Sequence, residues 1–406
     1  MTDIAAYSQN GILADLTVAS PKPGVSIEIT DVVQFAVMQA DWDDLLGRAA
    51  ELNAFMSPVL VRAAARSYPQ SRPRVVLAWK TIEDRRRLTG VWVFAVGYAN
   101  KSLLPIRVLT APPFSYGYLA TPVVDRAFLE ETLDAMLDRI ADDPDLPKII
   151  ALDSMGMEGP AMAALVNVLA GRGNAPCILE QARRPKLESD QDSKQYFQNA
   201  LSNSSRKKLR QRRRRLSEKG VLTSEIISDP NAIPKAIDEF FSLEASGWKG
   251  RHGTALHCSD ADAAFFRTGF AALAQHGCAS IHSLRLDKRL ISMQLVVCAG
   301  HAAFTWKTAY DEDFSKFSPG KLLLEDYTAA FLGDKRIRFV DSCAQDDTSY
   351  MSIWTERQQV GDLLIDARRG GSHAFQLLGK LEMMYRGLRT TAKQYYLQLR
   401  HNQAAR

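Results

Sequence analysis

Cysteine is scarce in this 406-residue chain, and Cys177, Cys258, Cys278, Cys298 and Cys343 are scattered, with no CxxC pair. An odd, dispersed set argues against a disulfide framework and a zinc site, and fits a reducing compartment. His252, His257, His276, His282 and His301 show no ligand spacing, so no metal is expected. No apolar run approaches the roughly 18 residues that a spanning helix needs. The first twenty residues lack the basic and apolar stretches of a secretory leader. The expectation is a cytoplasmic protein. Acid is missing where base concentrates: residues 206–215 hold eight Arg/Lys and no Asp or Glu. Residues 367–406 hold eight Arg/Lys against Glu382 alone, while the whole chain is only +5. The remainder is therefore acidic, and contact with anions is localised to two segments.

What is present suits a soluble globular chain, with 46% apolar and 24% charged residues and a length that suggests two domains. Residues 1–24 are polar, carry Pro21, Pro23 and Gly24, and read as a flexible arm. Helical periodicity follows over Trp42–Tyr68, then strands Arg74–Trp79 and Thr89–Tyr98 joined by a charged turn. An aromatic, proline-bounded stretch (Phe114–Val124) leads to an amphipathic helix over Ala127–Ala141. Strand Lys148–Leu152, helix Pro160–Ala170 and strand Cys177–Ala182 close this half. Helices are then expected at Ser204–Lys219, Ala232–Ser246 and Asp260–His276, and strands at Leu222–Ser228, Ser280–Leu286, Leu290–Cys298 and Ala302–Tyr310. After a helix Lys321–Leu332 come strand Arg336–Val340, a short helix near Asp347–Glu356, and strand Val360–Ile365. The segments KIIALDS (148–154) and RIRFVDS (336–342) occupy matching places, which suggests two copies of one unit. The expected fold is α+β, with mixed sheets flanked by helices. Its divisions are an N-terminal unit 25–190, a C-terminal unit 191–366 and a basic amphipathic helical tail 367–406.

Several stretches of the second half carry a resemblance. They are Ser205–Arg210 with Arg212–Leu216, Leu243–Arg251 with Gly253–Leu256, Trp306–Asp311 with Phe317–Gly320, and Asp341–Ala344 followed by Trp354. Residues 196–366 resemble the acetyltransferase domain of the bacterial cellulose-biosynthesis CelD type. That type falls in the GNAT superfamily and is a relative of the tandem-GNAT Fem-type ligases. The resemblance implies a transferase moving an acyl group from acyl-CoA to an amine, with the first half a degenerate copy. Amine acceptors in view are an amino sugar, a small amine or a long-chain amine in exopolysaccharide or lipid biosynthesis. An aminoacyl-tRNA-dependent ligase and a non-catalytic envelope accessory stay open as alternatives. Fem-type ligases insert a long helical arm, and the stretch between Ser246 and Ser280 is too short for it, which weakens the tRNA donor.

Acyl transfer without a covalent intermediate needs an anchored donor and a base for the incoming ammonium. Ser318, Pro319, Gly320, Lys321 and Leu322 open a helix whose free amides and dipole suit a pyrophosphate. Lys307, among apolar neighbours, is a candidate to hold a phosphate or an acceptor carboxylate, its alternative a solvent-facing position opposite Trp306. Glu244, beside Trp248 in an apolar stretch, is the first candidate base, its alternative an ion pair with Lys249 or Arg251. Asp311 is the second, its alternative a turn cap. Asp341, ending a strand, is a candidate acceptor contact, its alternative a structural role that its counterpart Asp153 favours. Trp248, Lys249, Arg251, Arg206 and Arg210 are candidate acceptor or anion contacts. The like-charged pairs of the basic helix predict an anionic partner. Without interleaved aromatics, nucleic acid ranks below donor phosphates and an anionic membrane surface. The tail (Leu377, Leu381, Met384, Leu388) would either dock on the second unit or lie peripherally on an inner-membrane surface.

Overall fold

The computed structural model describes residues 24–98, 106–344 and 349–404, so the expected arm lies outside them except for Gly24. Thirteen strands are described in chain order: β1 (Ser26–Thr30), β2 (Arg74–Ile82), β3 (Arg85–Tyr98), β4 (Arg107–Ala111), β5 (Val123–Val124), β6 (Ile149–Gly156), β7 (Cys177–Leu187), β8 (Leu222–Ile227), β9 (Ala279–Leu286), β10 (Arg289–Ala299), β11 (Ala302–Tyr310), β12 (Phe339–Asp341) and β13 (Glu356–Asp366). The described α-helices are α1 (Val32–Phe35), α2 (Gln39–Arg48), α3 (Pro58–Ser67), α4 (Leu129–Asp142), α5 (Pro160–Gly171), α6 (Ser193–Ala200), α7 (Asn203–Ser217), α8 (Ile233–Ser246), α9 (Trp248–Arg251), α10 (Asp260–Gln275), α11 (Pro319–Gly333) and α12 (His373–Ala404).

All strands join one mixed sheet in the order β1-β2-β3-β4-β6-β13-β7-β12-β11-β10-β9-β8, with β5 pairing β3 off that path. The order is a mirror. Three antiparallel strands and a parallel pair (β4 with β6, β11 with β12) build each flank. At the centre the halves exchange their last strands: β7 pairs with β12 and β13 pairs with β6, while β7 and β13 pair with each other. The β2–β3 hairpin closes over Glu83 and Asp84, both at positive φ, as a two-residue turn matched to strand twist requires.

Burial explains the layers. Serine caps at Ser57 and Ser259 start α3 and α10, which pack against each other across the two halves. A Cβ at Gly269 would sit 3.2 Å from Ala63, so this close helix approach uses glycine. The largest core runs through both halves and includes Phe55, Phe265, Phe266 and Trp306. A second lies under α7 and α11, around Leu209, Leu216, Leu322 and Trp354. A small third seats α12 through Phe375 and Leu378.

Some elements differ from the sequence expectation. β7 runs to Leu187 through Arg183, Arg184 and Pro185, because strands on both sides pair it where its own residues would not. β4, β5 and α6 are short elements without a readable period. The helix expected near Asp347–Glu356 is a single 3-10 turn, Ser349–Met351, and residues 345–348 lie outside the described set.

Candidate active site

The parallel pairing of β11 with β12 covers only Ala302–Phe304 against Phe339–Asp341. β11 then continues through Thr305–Tyr310 with β10 on one side and, among the described residues, no strand on the other. The Thr305 hydroxyl donates to the carbonyls of Asp341 (3.3 Å) and Ser342 (3.0 Å), closing the narrow end of the wedge. A bulge sets the divergence: Leu295 faces Lys307 and Val296 faces Thr305, leaving Trp306 as the extra residue. Its indole donates to the Tyr116 carbonyl at 2.7 Å and packs on Phe266, locking this strand to the N-terminal half.

Beyond β11, Asp311 begins a 3-10 turn (Glu312–Phe317), and α11 starts at Pro319 after Ser318. Ser318 sits at φ 52 and its side chain does not cap the helix. Pro319 and Gly320 are buried. The Tyr350 hydroxyl donates to the Gly320 carbonyl at 3.2 Å, and a Cβ at Gly320 would meet that ring at 3.2 Å. The Lys321 and Leu322 amides donate to the Ser318 carbonyl at 2.9 and 3.2 Å. The expectation of wholly open amides is thus corrected: a tyrosine covers the corner and two of its N–H groups are engaged.

The three carboxylates are all held by protein partners. Glu244, 4% exposed, accepts from Lys249 Nζ (2.7 Å) and from the Leu256 N–H (2.8 Å). Asp311 caps the turn through the Asp313 N–H and accepts from Arg289 Nε at 2.9 Å. Asp341, the candidate acceptor contact, is 1% exposed, paired with Arg184 and accepting from the Cys343 N–H. Its position between strands of both halves makes it a structural group. Trp248 is half exposed; its N–H and Arg251 both donate to Glu312 (2.7 and 2.6 Å), fastening α9 to the turn. Arg251 and then the Trp248 N–H hold the Glu312 carboxyl below the usual range. Lys249 also reaches the Thr308 carbonyl at 3.4 Å.

Arg206 and Arg210 ride on α7, which docks through Leu209, Leu216 and Arg213, the last donating to Glu325, Asp326 and the Leu322 carbonyl. Arg206 bonds Asn203, and among the described residues no hydrogen bond or ion pair joins either arginine to β11. Lys307 leaves the open stretch of β11 and turns toward the N-terminal half. Its ammonium lies 4.5 Å from the centre of the Tyr116 ring, and burial, then Lys249, pulls its pKa down to about 8. Sequence reasoning missed the group beside it, in which Tyr68 and Tyr116 each donate to Asp262 at 2.6 Å. Burial and then Asp262 push both phenols well up. The aromatic stretch 114–124 was the only signal, and nothing in it pointed to α10.

Two surface cavities lie elsewhere: one of about 340 Å³ between α3 and α10, and one of about 410 Å³ beside Arg72, Tyr98 and Arg107. Among the described residues no group of three or more His, Cys, Asp or Glu could hold a metal, and no helix is long and apolar enough to cross a membrane.

The wedge, the bulge and the helix that follows have a counterpart among known domains. Residues 203–350 match the model of the acetyltransferase (GNAT) domain. The match runs from α7 to the turn that holds Tyr350, and so takes in the whole wedge. A crystal structure of FemX superposes with a TM-score of 0.57 at 12% identity, covering 83% of this chain and 96% of that one. A conserved protein of unknown function from Bacteroides thetaiotaomicron gives 0.51 at 10% identity, covering 84% and 100%. At these identities the likeness is one of fold, and it extends over both halves. No curated protein matches the chain.

Proposed function

We propose that the C-terminal unit moves an acyl group from acyl-CoA to an amine. The open edge of β11 is the observation that supports this reading most. Thr305–Tyr310 lack a strand partner on the β12 side among the described residues, and the amide-bearing arm of coenzyme A can add there as a strand would. The diphosphate then falls toward Ser318–Leu322, where the positive end of α11 and Lys321 favour it once the Tyr350 phenol swings aside. The amine attacks the thioester carbon, the C–N bond forms, and the C–S bond breaks with release of the thiol. Positioning by the wedge supplies much of the rate.

The acceptor we favour is an amino sugar, a small amine or a long-chain amine offered at the inner membrane. For the last, α12 leaves Leu377, Met384 and Leu388 exposed beside Lys380 and Arg389. The test is calorimetric titration with acyl-CoAs of increasing length, repeated on Ser318→Asp. Aspartate suits a helix start and tolerates positive φ, so folding should hold while affinity falls at least tenfold. Unchanged affinity counts against the corner.

A second reading is an aminoacyl-tRNA donor. The exposed Lys207, Lys208, Arg210 and Arg215, without ion pairs among the described residues, favour a large polyanion. Affinity for tRNA above that for acyl-CoA, falling steeply with salt, would select it. A non-catalytic accessory would release no thiol with any amine.

A further inference from the structure

We infer that Lys307 is the proton acceptor of the reaction, its neutral amine taking a proton from the acceptor's ammonium before attack. This rests on the acyl-transfer reading above and adds the residue that performs its first step.

Placement carries the argument. Lys307 follows the bulge at Trp306 and so belongs to the open stretch of β11. Its side chain is only partly exposed, and Nζ lies over the face of Tyr116 from the other half. Among the described residues its ammonium meets no hydrogen-bond acceptor or carboxylate partner. The charged and titratable groups around it come from four elements: Glu244 on α8, Lys249 on α9, Asp262 on α10, and Tyr116 on the loop after β4. Both carboxylates are engaged elsewhere, Glu244 by Lys249 and the Leu256 N–H, and Asp262 by Tyr68 and Tyr116. A buried ammonium beside a second ammonium, without a carboxylate of its own, gives up its proton readily. Its pKa of about 8 leaves a useful neutral fraction at working pH, close to the optimum for a base.

The step balances. The acceptor's ammonium gives one proton to Lys307 Nζ and becomes a neutral amine. That amine attacks the thioester carbon, and the C–N bond forms as the carbonyl pair moves to oxygen. On collapse the C–S bond breaks, the thiolate leaves, and it takes the second proton from the former amine nitrogen. Lys307 returns its proton to water.

The experiment uses the full chain, acyl-CoA, and glucosamine or octylamine as probe acceptors, with thiol release read from pH 6 to 10. Wild type, Lys307→Met and Lys307→Arg are compared with the same acceptor, so the acceptor's own titration cancels. In the wild type, kcat/KM should climb below pH about 8 and level above it. Both variants should lose about 10²- to 10⁴-fold while binding acyl-CoA normally. Trimethylamine, a base that cannot form an amide, should partly restore Lys307→Met. Arginine keeps the charge but does not deprotonate, so activity retained in Lys307→Arg would make the residue an anion or oxyanion contact and overturn the assignment. Lack of acyl-CoA binding by the wild-type protein would instead overturn the donor reading, and this assignment with it.

Discussion

Arg184→Met should destabilise both halves at once. Arg184 and Asp341 are each 1% exposed and paired, on β7 and β12, where the halves exchange strands. Arg184 also donates to the Tyr118 carbonyl at 2.8 Å. Removing the arginine leaves a carboxylate buried beside only the Cys343 N–H, and breaking such a pair costs about 3–5 kcal/mol. That is a large share of the 5–15 kcal/mol typical of a folded domain. The double variant Arg184→Met/Asp341→Leu removes both charges. Arg184 Nε already lacks a partner, so an apolar replacement gives up little there. The double variant should therefore recover at least half of the loss, a coupling of about 2 kcal/mol or more in a double-mutant cycle. Urea unfolding followed by tryptophan fluorescence and by circular dichroism measures it. A loss under about 1 kcal/mol for Arg184→Met, or additive single losses, would refute the claim that this pair joins the halves.

Two further perturbations follow from buried groups. His282 lies against Tyr327 and Phe331, and burial lowers its pKa from 6.5 to about 4. The unfolded chain therefore binds a proton that the folded one excludes. The corresponding stability is present above pH about 6.5 and declines toward pH 4 by about 3 kcal/mol, and unfolding curves of His282→Leu should lose that slope. Trp354 is fully buried and donates to the Thr328 hydroxyl at 2.9 Å. Trp354→Ala should cost about 3–5 kcal/mol in the same assay, and a loss below 1 would mean the core under α11 collapses around the gap.

What could be read from the sequence was local. The apolar stripe Leu133, Met136, Leu137 and Ile140 gives α4 its period, and the charged stretches Glu83–Arg87 and Asp287–Arg289 mark both hairpins, the first with a turn tighter than its charges imply because Arg85–Arg87 already pair with β2. Ser318-Pro319 marks the start of α11. The wedge is half legible: the strand, the turn and the helix are, but not the cover that Tyr350 provides. For the carboxylates the sequence left two readings each, because burial and partners are tertiary facts. Glu244 is as apolar in its surroundings as the sequence implies, and of the two ion-pair partners in view it is Lys249, five residues on, that engages it. Asp262 and Tyr116 are far apart in the chain and meet only because α10 crosses to the other half. β7 extends past its readable end for the same reason, since only its neighbours make a strand of an Arg-Arg-Pro segment.

The exchange of β7 and β13 bears on what the N-terminal half does for the C-terminal one. β12 is three residues long, and β7 is its partner on the side away from β11. Without residues 25–190, β12 would keep one neighbour and β13 would lose both β6 and β7, exposing long unpaired edges. The Lys307 ammonium would lose the Tyr116 face, and Trp306 the carbonyl that fixes its bulge. A fragment of residues 191–406 should therefore aggregate or fail to fold when expressed alone, and co-expression with residues 1–190 should restore a soluble complex. Size-exclusion chromatography with circular dichroism reads both outcomes. A monomeric, cooperatively melting fragment would show that the second half builds its own sheet, and the first half would then need another reason to be there.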